Sequence, residues 1–78
     1  MREKHLRLVV TFHTTASAVA TEQLCRKREL DGKLITVPRV LSSDCGMAWS
    51  APPETGNALK AALSEAGIEA AGFHEVRL

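Results

Sequence analysis

Leu6, Leu8, Val10 and Phe12 alternate with Arg7, Val9 and Thr11. That period predicts a strand with one strongly apolar face. His13-Thr14-Thr15 ends the run, and Thr14 or Thr15 suits an N-cap. From Ala16 to Leu30 the spacing turns helical, with Ala16, Ala20 and Leu24 four apart and Val19 adjoining. Arg26, Lys27 and Arg28 fall near the C-terminal end, where the helix dipole favours cations. Asp31-Gly32 closes this predicted helix. Leu34 to Val37 is a short β-prone run, and Pro38, which has no N–H to give a ladder, ends it or lies on an edge. Met47-Ala48-Trp49 predicts the next strand, antiparallel to the last. Its stretch, 47–51, offers two candidate buried sets, Met47/Trp49 and Ala48/Ser50. Pro52-Pro53 stops it, and Pro53 suits a first helical turn. Leu59, Ala62, Leu63 and Ala66 then form a helical stripe, with Gly67 as its C-cap. A last strand is expected within 68–78, anchored by Phe73, Val76 and Leu78.

The order β-α-β-β-α-β predicts an α+β, ferredoxin-like split βαβ sandwich built as a single domain over residues 1–78. Four antiparallel strands would carry both helices on one face. The other sheet face would be open, with Val9, Phe73 and Trp49 as candidates for an apolar patch that a homodimer could cover.

Composition narrows the function classes. A chain of 78 residues buries only about 60–65% of the surface its unfolded form exposes, so its core is thin. A net charge of +1 argues against electrostatic capture of nucleic acid or anionic membrane. Without tyrosine, and with few other aromatics, a base-stacking platform is not expected. The charged start, Met1 to His5, and the lack of any long apolar run predict neither a signal peptide nor a membrane span. Cys25 and Cys45 do not form a C-x-x-C pair, and reduced thiols in a cytoplasmic protein are the expectation. His5 and His74 lie near the termini and have no metal-ligand spacing with either cysteine, so no metal or other cofactor is expected.

The stretch that most resembles a site is Pro38-Arg39-Val40-Leu41-Ser42-Ser43-Asp44-Cys45-Gly46. It is a polar turn between apolar runs, with a thiol directly before glycine. In the predicted topology the first and third strands are antiparallel neighbours. His13, Thr15 and the N-terminus of the first helix therefore lie beside this turn. Unpaired N–H groups and partial positive charge there favour a thiolate or a bound anion, and Arg39 acts in the same direction. Gly46 lets the backbone turn tightly and leaves room at the sulfur. Cys25, on the helix beside Leu24, reads as a small packed residue.

The run from Pro38 to Ala48 resembles the central motif of small bacterial selenium/sulfur carrier-like domains: a proline, a basic residue, serines, then Cys-Gly and a short apolar strand. Val9-Val10-Thr11-Phe12 before a Thr-capped helix bearing Glu22 resembles their opening. Pro52-Pro53-Glu54 and the helix ending Glu65-Ala66-Gly67-Ile68 resemble their later part. The chain departs from the pattern in its charged stretch Arg26 to Lys33. It departs again at Trp49 and Ser50, where a smaller aliphatic and a basic residue are commoner.

The resemblance implies that Cys45 accepts sulfur or selenium as a persulfide or selenenylsulfide and relays it between donor and acceptor proteins. Ser42, Ser43 and Arg39 would help to hold the anionic adduct. Without a complete nucleophile–base–orienter set the chain reads as a relay rather than a full enzyme. The competing expectation is a dimeric regulatory module that binds a small ligand or a protein, in which Cys45 is incidental. A redox pair of Cys25 with Cys45 is disfavoured, since Cys25 lies more than two turns into a helix that starts beside Cys45.

Overall fold

The computed structural model describes residues 5–41 and 46–77. Its elements run β1 (Leu6–Thr11), α1 (Thr15–Lys27), β2 (Lys33–Thr36), β3 (Met47–Ala51), a 3-10 turn (Pro53–Thr55), α2 (Gly56–Ala66) and β4 (Gly72–Arg77). All pairings are antiparallel, and the spatial order is β2-β3-β1-β4. This is the expected α+β ferredoxin-like arrangement.

Cross-strand register settles the two sheet faces, because directly opposed residues share a face. Leu8 opposes Ala51 and Glu75, and Val10 opposes Trp49 and Phe73. Leu34 opposes Trp49. This is the helix side, where Leu8, Val10, Phe12, Trp49 and Ala51 join Ala18, Cys25, Leu59 and Leu63 in one core. Met47/Trp49 is therefore the set that faces the helices. Their placement corrects the expected patch, since neither Trp49 nor Phe73 lies on the open face.

That open face carries Val9, Thr11, Ala48 and Ser50 on its central strands, all essentially buried. Longer side chains lie on the same face. The Arg7 guanidinium donates to the Ser50 hydroxyl at 3.1 Å and to its carbonyl at 3.4 Å. His74 folds back over Gly72, so a Cβ at Gly72 would sit 2.8 Å from the imidazole Nε2. The face is a polar lid over small side chains rather than an apolar patch.

Helix α1 is shorter and differently rotated than its apolar spacing predicts. Its inward residues are Ala18, Thr21 and Cys25, with Leu24 packed alongside, while Ala16 and Val19 face out. Thr21 can be buried because its hydroxyl donates to the Ser17 carbonyl at 2.9 Å. Thr14 is the N-cap, its hydroxyl accepting from the Ser17 N–H at 3.1 Å. Thr14→Ala should cost about 1 kcal/mol, read as a lower urea midpoint at unchanged slope.

The helix closes before Asp31-Gly32. Glu29 takes φ 57°, and Leu30 donates back to the Cys25 carbonyl at 2.8 Å. That six-to-one bond is a Schellman closure, here with glutamate in the left-handed position. In α2 the expected stripe holds for Leu59, Ala62 and Leu63, whereas Ala66 is exposed. Gly67 caps the helix at φ 71°. The Pro53 turn is 3-10, and α2 proper begins at Gly56.

Candidate functional site

The β2–β3 connection is tied at its base. The Val37 N–H donates to the Gly46 carbonyl at 3.1 Å, continuing the ladder one step beyond the strands, and Leu41 donates to Pro38 at 3.0 Å, closing a turn over Arg39 and Val40. Pro38 supplies the carbonyl that closes this turn, and without an N–H it cannot extend the β2 ladder. Gly46 returns the chain to β3 with φ 74°, and among the described residues a Cβ there would meet nothing within 4 Å. The left-handed backbone favours glycine at this position.

Ser42, Ser43 and Cys45 lie outside the described residues. The other candidates are placed. Arg39 and Gly46 are exposed on the connection; His13 follows β1, and Thr15 opens α1, both exposed. Thr11, the last residue of β1, opposes Ala48 near the start of β3. The β1–α1 junction with its helix N-terminus therefore stands at the same sheet end as the start of β3. The adjacency of the end of β1 and the start of β3 expected from the strand order is present.

One residue in the turn escaped the sequence reading. Val40 is 78% exposed, far more than any other large exposed hydrophobic among the described residues. The signal was an apolar side chain between Arg39 and Leu41 in an otherwise polar stretch, but apolar residues at single surface positions are ordinary.

Cys25 is fully buried. Burial pushes its thiol above the ordinary value of 9.0, because the low-dielectric surroundings disfavour the thiolate. Two consequences follow. In the native protein Cys25 should resist alkylation until the chain unfolds, as tryptic peptide masses after iodoacetamide treatment would show. Its linkage also has a definite sign. The folded chain keeps this proton at pH values where the unfolded chain has lost it. The contribution of Cys25 to stability is therefore complete below its ordinary value and declines as pH rises through the folded value.

Among the described residues no group of three or more His, Cys, Asp or Glu side chains could hold a metal ion. Among them, too, no helix is long and apolar enough to cross a membrane. No curated protein and no solved structure matches the chain. A family match covers residues 7–75, from β1 through most of β4 and across the whole Cys-Gly connection. The chain belongs to the family described as "Putative Se/S carrier protein-like".

Proposed function

We propose that this protein is a sulfur or selenium relay in which Cys45 is the accepting atom. The observation that carries the reading is the family match across the Cys-Gly connection. The burial of Cys25 supports it by leaving Cys45 as the thiol for the chemistry. In the uptake step the Cys45 thiolate attacks the outer sulfur of a donor persulfide, R–S–SH. The new S–S bond makes Cys45 a persulfide, the donor S–S bond breaks, and R–S⁻ leaves with the electron pair. The oxidised character of the outer sulfur passes along with it, so no separate oxidant is required. The selenium version is the same displacement on R–S–SeH, with selenium in the outer position. A second thiolate on an acceptor reverses the exchange.

The surroundings suit an anionic adduct. The α1 N-terminus, where Thr14 caps the Ser17 N–H, adds partial positive charge at the sheet end where β3 starts. Arg39 supplies a cation, and Ser42 and Ser43 supply hydroxyl donors in the same connection. Donor and acceptor proteins are the implied partners, and a cytoplasmic setting would keep the thiol reduced.

The test is pH-dependent alkylation of the reduced protein, with Cys45 and Cys25 read separately, followed by uptake from a low-molecular-weight persulfide. A Cys45 midpoint well below 8.5 with transferable sulfane sulfur is expected. An ordinary midpoint and no uptake would overturn the relay.

A further inference from the structure

The two sheet edges are treated differently. β2 has four residues, Lys33–Thr36, and is followed by Pro38, so it offers a short edge ended by a residue that cannot donate. β4 has six residues, Gly72–Arg77, without proline. It pairs with β1 along its full length, so alternate main-chain N–H and C=O groups point away from the sheet. An open groove of about 380 Å³ lies beside this edge, its lining including Leu8, Asn57, Lys60, Phe73 and Glu75.

Among the described residues the charges beside the edge form no ion pair. Lys60 on α2 holds its ammonium 5.1 Å from the centroid of the Phe73 ring. Glu75 is exposed on the same, helix-facing side of β4 as Phe73, opposite Leu8. Among the described residues the ion pairs are Arg26–Glu22 and Arg28–Glu65, and neither Lys60 nor Glu75 takes part.

We infer that the β4 edge binds the β4 edge of a second copy, antiparallel, about a two-fold axis normal to the sheet at His74. Such an axis keeps each face with its like, so residues pair only in registers that match faces. A register centred on His74 sets Phe73 opposite Glu75 of the second copy, and Gly72 opposite Val76. Cross-strand neighbours have Cβ atoms about 5 Å apart. That brings the second copy's Glu75 beneath Lys60, and symmetry makes the ion pair twice. A register centred on Glu75 would oppose two glutamates, and one centred on Val76 would leave only three residues of each strand paired. Charge and length together select His74. The assembly is an eight-stranded sheet, and it leaves clear the β2–β3 side, at the opposite end of the strand order. It stands independently of the relay reading.

Sedimentation equilibrium of the full chain over a concentration series tests this, with circular dichroism to confirm folding. The wild type should dimerise, and Arg77→Glu, outside the selected ion pair, should leave the dimer intact. Lys60→Glu alone opposes two glutamates, and Glu75→Lys alone opposes two lysines. Each should weaken self-association roughly tenfold or more. Mixing the two single variants should restore association as a heterodimer, because both contacts then join opposite charges. Amide exchange in wild-type β4 should also slow as concentration rises. A monomer throughout, single variants that dimerise as well as wild type, a mixture that gains nothing, or β4 exchange indifferent to concentration would each overturn the proposal.

Discussion

Replacing Cys45 with serine should abolish uptake of sulfane sulfur from a persulfide donor, by at least ~10²-fold, while leaving the fold intact. The nucleophile in this exchange is a thiolate, and a serine hydroxyl is not ionised near neutral pH. Loss of uptake alone would also follow from unfolding, so the paired variant matters. Cys25→Ala removes a buried sulfur from the core. It should lower stability by about 1 kcal/mol, as for the loss of a small buried group, yet retain uptake. The readout is mass spectrometry of the protein after exposure to a low-molecular-weight persulfide, with a gain of one sulfur atom on the Cys45 peptide. Uptake that survives Cys45→Ser, or that vanishes with a folded Cys25→Ala, would move the chemistry away from Cys45.

The second large effect concerns Gly32 and Trp49. Gly32 leads into β2 with φ 153°, and a Cβ there would lie 2.5 Å from three atoms of the Trp49 indole. Backbone and ring are in direct contact, and Trp49 belongs to the core that both helices cover. Gly32→Ala must therefore displace the indole or distort the approach to β2, and it also places a side chain in an unfavourable backbone region. A cost of about 2–4 kcal/mol is expected, a large part of the stability of a small domain.

Trp49→Phe provides the control. Among the described residues the buried indole N–H has no hydrogen-bond partner, so phenylalanine removes an unsatisfied donor as well as ring volume, and these changes offset one another. In the Trp49→Phe background much of the crowding penalty of Gly32→Ala should disappear, leaving mainly the backbone strain. Urea unfolding of the four chains completes a double-mutant cycle. Additive effects would show that the two positions do not meet.

The contrast between α1 and β1 explains which parts of this protein could be read directly. β1 was legible because a strand imposes period two. Leu6, Leu8, Val10 and Phe12 could face the helices only if Arg7, Val9 and Thr11 faced away. In α1 the residues that turn inward include Thr21 and Cys25, which carry little hydrophobic signal, while the more apolar Val19 faces out. A threonine that returns its hydroxyl to its own helix hides its polarity, and nothing in the apolar spacing reports that bond.

The same limit applied to the sheet's second face. Its central residues are small and buried, and the Arg7 and His74 side chains that lie on this face have a reach that depends on which strands become neighbours. The Pro-to-Gly connection was legible as a candidate site because polar turn residues flank a thiol. The burial of Cys25 needed the packed core.

Element order, the apolar faces of β1 and α2, the glycine closing α2 and the Cys-Gly connection were all determined by sequence alone, because each arises from local periodicity or from the conformational limits of single residues. Tertiary structure decided the rotation of α1, the inward face of β3, the position of Phe73 on the helix side and the place of β4 at the end of the strand order. Those depend on strand order and register, where pairing one residue commits the face of every other, and on burial supplied by residues distant along the chain.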